Sequence, residues 1–314
     1  MIRRMIWVVA AAALIVASAV AVRYRSDQFA QFPPVAVSQL RVTSQPIGDL
    51  TPPTTRPQPP TSGPAVRVAV IGGMVETGFW NELAFRFESK MHIPVQLVSA
   101  GQKDTLSAVF RRGGIDLVTM HASDSIINLV ADGYARDPLP WARNDMIIVG
   151  PANDPAGIKG MTDAGEAFRK IAQHNARFVV HSSLGAQDVM LSIMEPLGIE
   201  LDPASTTVLF DDKQRRVLQV AAGQQAYTLL GRIPFETGRI PNSGLVVMVR
   251  GDPRLRRPFV VAVANPDTVA GAHFAQAKLL QEFMCGSDTQ RWIDQFGRGK
   301  WDEESMFFPV APSR

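Results

Sequence analysis

Residues 66–90 read VRVAVIGGMVETGFWNELAFRFESK. The run VRVAVIG (66–72) is apolar, rich in β-branched residues and long enough for one buried strand. It ends at Gly72-Gly73. From Phe79 to Lys90 the spacing changes: Phe79, Leu83 and Phe87 recur every four residues, one face of an amphipathic helix. Strand, glycine turn and helix in that order open an α/β unit. Glycine lets the strand fold back tightly into the helix. Backbone N–H groups at such a turn can also hold an anion. Thr77 can equally be a plain helix N-cap.

The same alternation continues outward from this stretch. Strands are expected at 93–101, 115–121 and 144–151, with helices at 104–114 and 125–134 between them. The pattern then restarts, with helices at 164–175, 185–198 and 212–224. Strands follow at 177–182, 206–210, 226–231, 244–249 and 258–266, and helices at 272–284 and 287–296 close the chain. This rhythm predicts a parallel sheet with helices on both faces. A late return to the first unit suggests two lobes joined by crossing strands, 66–143 with 255–314 and 144–254. Ligands bind such sheets at strand C-terminal ends, in the crevice between lobes.

The N-terminus is of another kind. MIRRMIWVVAAAALIVASAVAV has two arginines and then an apolar run from Met5 to Val22. It fits a secretory signal cut after Ala19 or an uncleaved transmembrane anchor, within residues 1–25. Either places the remainder outside the cytoplasm, in a periplasmic or similar space. Residues 26–65 hold FPP, TPPTT and RPQPPTSGP and read as an extended, disordered, Pro-rich linker.

Composition narrows the function classes. Of 314 residues, 46% are apolar and 19% charged, which suits a globular core. The net charge of +3 is spread out, with no basic stripe, so nucleic acid is not an expected partner. The single cysteine, Cys285, cannot form an intramolecular disulfide and reads as a buried small apolar residue near a helix end. No Cys/His set has metal-ligand spacing. No G-x-S-x-G elbow is present, and Asp211-Asp212 reads as a helix start. Enzymatic activity and a cofactor are not expected.

RNDMIIVGPANDPAGIKG (143–160) resembles the crossing segment of the extracytoplasmic tungstate-binding proteins of ABC importers. Further segments resemble that family in the same order. They are IDLVTMHA (115–122), LVADGYARD (129–137), QQAYTLLGR (224–232), RGDPRLRRPFVVAVANP (250–266) and ESMFFPVAP (304–312). The family versions of three of these read QAYTL-x-DR, GDPRL-x-NPY and LFFP. The resemblance covers about residues 66–312. It implies a type II periplasmic-binding fold, two lobes closing on a tetrahedral oxyanion such as tungstate or molybdate, and delivery to a membrane permease by a monomer. It implies no catalytic residues.

The resemblance also maps the site loops. The first is Ile71 to Gly78, where Gly72, Gly73 and Met74 offer backbone amides and Thr77 a hydroxyl. The family's earlier hydroxyls are missing here. The second is His181-Ser182-Ser183, where the family carries an arginine at the position of His181. Gly101 and Gln102 form a third loop and His121 a fourth. Arg232 falls on the family's strand-end arginine and can anchor the strand rather than a ligand. Neutral His181 donates one hydrogen bond, whereas charged donors are about twice as strong. Three readings follow: an oxyanion held by amides and new partners, a less charged ligand, or a membrane-tethered sensor or scaffold outside transport.

Overall fold

In the computed structural model the described residues are 59–182, 184–210, 214–301 and 303–310. All lie within the unit Thr55–Arg314. The expected signal or anchor, most of the expected linker, and Asp211-Asp212 lie outside the described residues. The end of the linker, though, is docked. Ser62 N donates to His92 O at 2.9 Å, and His92 and His273 each bond a carbonyl, those of Pro60 and Ala65.

The first strand β1 (Val66–Ile71) runs into a one-turn helix α1 (Gly72–Glu76), then α2 (Phe79–Met91). β2 (Val95–Gly101), α3 (Lys103–Arg111), β3 (Leu117–His121) and α4 (Asp124–Ala131) follow. β2 and β3 flank β1, both parallel to it. Val66, Val68 and Val70 face one core with Phe79, Leu83 and Phe87, while Ala69 faces a second with Leu106, Phe110 and Ile126. This is the two-residue alternation of a strand covered on both faces. Phe79 is the aromatic centre, with ring centroids 4.0 Å from Phe307 and 4.9 Å from Trp292. Each such ring buried contributes roughly 1.5–3 kcal/mol.

β4 (Ala135–Gly150) is 16 residues long, twice the expected strand. Its first half holds Pro138 and Pro140, residues that argue against a strand. They are accommodated by irregularities in the pairing with β9 (Arg256–Ala264), between Arg136 and Leu139 and between Pro140 and Ala142. Prolines are tolerated at such bulges because no ladder donor is needed there.

β4 then enters the second half of the sheet. α5 (Ala164–Gln173), β5 (Phe178–His181), α6 (Leu184–Met194), β6 (Thr206–Leu209), α7 (Gln214–Gln224), β7 (Tyr227–Gly231), α8 (Arg232–Glu236) and β8 (Val246–Val249) build it. α9 (Phe274–Cys285), α10 (Ser287–Ile293) and the short β10 (Phe308–Pro309) return to the first half. The main strand order is β2-β1-β3-β9-β4-β7-β5-β6. The expectation of a parallel sheet is therefore corrected to a mixed one. β9 is antiparallel to β3 and β4, and β4 is antiparallel to β7 and β8. The helical crossovers made the outer strands parallel, while the long return of the chain lays β9 in the opposite direction.

Candidate functional site

β4 changes partners over two residues. Asp145 is the last to pair with β9, opposite Arg256, and Met146 the first to pair with β7, opposite Gly231. The C-terminal ends of β3 and β7 come to this point. His121, the last residue of β3, lies opposite Phe259 of β9. Gly231, the last of β7, lies opposite Met146. β1 and β2 end beside β3, and β5 ends beside β7. Loops from both sheet halves thus converge on residues 144–146 and 256–257, as expected of strand C-terminal ends in a ligand-binding α/β sheet.

The glycine loop is folded differently from expectation. Gly72 and Gly73 begin α1 instead of forming a bare turn. The N-cap of α2 is Gly78, at φ 79°, a left-handed conformation that favours glycine, so Thr77 is not the cap residue. Thr77 is 3% exposed, and its hydroxyl donates to Gly73 O at 2.9 Å. That hydroxyl is spent on the α1 backbone. The Met74 side chain is fully buried in the first core. A Cβ on Gly72 would stand 3.8 Å from Gly101 O, and one on Gly73 would stand 3.5 Å from Ile233 Cγ2. Gly72 and Gly101 are therefore close neighbours, and Gly73 faces α8 of the other half. Glu76 and Arg239 tie the same two regions by an exposed ion pair of 2.8 Å. Gln102 is exposed and makes no cap bond to α3.

His181 is 4% exposed at the end of β5 and, with Gln187 and Met190, borders a small space beneath α6. Ser182 is half-buried, and its amide donates to Leu209 O at 3.1 Å. Ser183 lies outside the described residues. The nine remaining ligand-loop positions divide between the halves: Gly72, Gly73, Met74, Thr77, Gly101, Gln102 and His121 in the first, and His181 with Ser182 in the second.

His121 sits at the junction. Its Nε2 lies 3.0 Å from Asn144 Oδ1, an oxygen that can only accept, so Nε2 carries the proton. Loss of water around the ring, with the positive charges of Arg257 and Lys103, holds its pKa well below the usual histidine value. His121 is neutral at pH 7.

Two residues at the junction were not singled out from sequence. Asn144 is 5% exposed, spends Oδ1 on His121, and lies opposite Arg257 in the β4–β9 register. Arg257 reaches the start of α6: a Cβ on Gly185 would lie 2.3 Å from its Nη2. Burial lowers the Arg257 pKa, and Asp188 partly counters this at a distance. Arg232, by contrast, is fully buried and paired. Its Nε donates to Glu236 at 2.8 Å and its Nη1 to Ser305 O at 3.0 Å, with Asp145 at 3.5 Å. Among the described residues, no group of three or more His, Cys, Asp or Glu side chains could hold a metal ion. Cys285 is a free, half-buried thiol at the end of α9, less enclosed than its sequence context suggested.

Residues 66–298 match the family described as bacterial extracellular solute-binding protein. The chain belongs to this family.

Several named proteins are similar to this solute-binding protein. A Haloferax volcanii relative, named as a candidate ABC transporter anion-binding protein, is 30% identical over 245 residues, 76% of this chain and 70% of that one. The tungstate-binding protein TupA of Peptoclostridium acidaminophilum is 26% identical over 239 residues, 75% of this chain and 82% of its own. The solved structure of the tungstate-binding protein TupA from Desulfovibrio alaskensis G20 matches with a TM-score of 0.64 and 26% identity, covering 79% of this chain and all of that one. The fold is shared with a tungstate ABC transporter structure from Geobacter sulfurreducens, TM-score 0.59 and 24% identity, over 74% of this chain and 98% of that one. No helix among the described residues of this solute-binding protein is long and apolar enough to cross a membrane.

Proposed function

We propose that this solute-binding protein captures a tetrahedral oxyanion of the tungstate and molybdate class outside the cytoplasm and hands it to the permease of an ABC importer. The observation that carries the reading is the convergence at the β4 crossover. There the loops ending β1, β2, β3, β5 and β7 meet from both halves of one sheet, in a chain whose relatives are named for anion or tungstate binding. The halves act as two lobes, 66–143 with 255–314 and 144–254, closing on the ligand. Gly72, Gly73 and Gly101 contribute backbone amides in the first lobe. Ser182 and Ser183 contribute hydroxyls in the second. The ligand is bound and released without chemistry, and the protein works as a monomer. The apolar N-terminus exports or anchors it, on the Pro-rich segment as a tether.

Calorimetric titration of the full chain with sodium tungstate, molybdate, sulfate and phosphate tests this. Submillimolar binding of at least one oxyanion is expected. No heat and no thermal shift with any of the four overturns the reading.

A further inference from the structure

Arg257 is placed where a cation is costly without an anion. Its guanidinium lies against Gly185, in the first turn of α6, an 11-residue helix. A helix N-terminus carries partial positive charge, because its first amides have no acceptor within the helix. A guanidinium packed there meets charge of its own sign. Among the described residues, no carboxylate, carbonyl or hydroxyl pairs with Arg257. Asp188 acts on it only through space, and the facing His121 is neutral. Five N–H donors in a fork are thus left for something else.

A second donor lies on the neighbouring strand. Asn144 lies opposite Arg257 across the β4–β9 ladder, and its Oδ1 is occupied by His121. That bond fixes the amide, leaving Nδ2 as a donor with no protein partner among the described residues. Arginine fork, amide N–H2 and the first helix amides together make a donor-rich, half-buried cradle. It offers charge and hydrogen-bond donors to an anion.

We propose that Arg257 is the residue that neutralises the bound oxyanion, with Asn144 Nδ2 and the first amides of α6 completing its coordination. This rests on the oxyanion reading above and adds the source of the positive charge. It also accounts for His181. In the resembled family an arginine stands at that position and an asparagine stands where this chain has Arg257. The cation has moved from the end of β5 to the start of β9, on the other side of the α6 N-terminus. A dianion requires charge at the site, not charge at one sequence position.

The test compares the wild-type full chain with Arg257→Gln, Arg257→Lys and Asn144→Ala, by calorimetric titration with the same four sodium salts and by thermal melting with and without them. Arg257→Gln is expected to weaken oxyanion binding by roughly a hundredfold or more. Arg257→Lys keeps the charge but loses the fork, and should weaken it by roughly tenfold. The ligand-free Arg257→Gln protein should melt at the wild-type temperature or above it, since no protein partner is lost and a repulsion is relieved. Wild-type binding that survives in Arg257→Gln within threefold overturns the role of Arg257 and leaves the oxyanion function standing. A wild type that binds none of the salts overturns both. A ligand-free Arg257→Gln protein that melts well below wild type shows a structural arginine and also overturns the proposal.

Discussion

Arg232 and Arg257 stand within a few residues of the same crossover, the first fully buried and the second half-buried, and they differ in every partner. Arg232 starts α8 and is enclosed by Glu236, Asp145 and the Ser305 carbonyl. Arg257 is the second residue of β9, packs against Gly185 and lies opposite Asn144. A buried charge paired with carboxylates of its own chain holds the fold. One left unsatisfied is available to a ligand. Residue type does not separate the two; Arg232 is fully buried, Arg257 is half-buried, and the partners differ.

The largest expected effect lies on the structural side. Arg232→Met should cost about 3–5 kcal/mol in urea unfolding, because Asp145 and Glu236 lose their buried counter-charge. A loss below about 1 kcal/mol would put Arg232 in the same class as Arg257 and break the comparison. Next is Gly185→Ala. Its Cβ would lie 2.3 Å from Arg257 Nη2, so the flexible guanidinium must move off the helix start. Oxyanion affinity should fall roughly tenfold, while the helix gains up to about 1 kcal/mol from alanine propensity. Opposite signs in titration and melting would be hard to explain unless the arginine position serves the ligand.

Asp145 gives a pH test of the Arg232 side. Its carboxylate accepts no side-chain hydrogen bond, and burial raises its pKa to about 7 despite Arg232, with Glu236 and Glu304 adding to the rise. A carboxyl raised in the folded state binds protons that the unfolded chain has released. Its contribution is therefore most favourable below the unfolded value of 3.8 and declines as pH rises toward about 7. The slope is at most about 1.4 kcal/mol per pH unit. Asp145→Asn should flatten the melting temperature between pH 5 and about 7, and an unchanged slope would assign it to another group. The smallest effect belongs to the exposed Glu76–Arg239 pair. Glu76→Gln should change stability by about 0.2–1 kcal/mol at low salt, and less at high salt.

The alternating apolar runs made the α/β class and nearly every core helix legible, since Phe79, Leu83 and Phe87 announce a buried face by spacing alone. Strand direction was not legible. Nothing local in PFVVAVANP says that β9 lies antiparallel between β3 and β4. The first half of β4 was hidden by its prolines, which the bulges excuse. The motifs behind the family resemblance turn out to be framework. Asp154 of the NDPAG segment accepts from the Tyr227 hydroxyl at 2.7 Å, and Asp252 of the GDPRL segment accepts from Ala164 N at 2.7 Å. Segments fixed by such bonds keep their sequence whatever the ligand, so they report the fold and not the cargo. Arg257 was passed over because it belongs to one of these segments. Only its register opposite Asn144, and its reach to Gly185, set it apart.

The long strand β4 also decides where motion and affinity reside. Among the described residues it is the one strand in both sheet halves, and it changes partners between Asp145 and Met146. A rotation of one half against the other must twist the chain near that step. In the proposed closure Asn144 and Arg257 would lie beside that step, whereas Glu76, at the end of α1, and Arg239 would lie farther from it. On the proposed closure, grip would be set near the pivot and entry at the rim, by different residues.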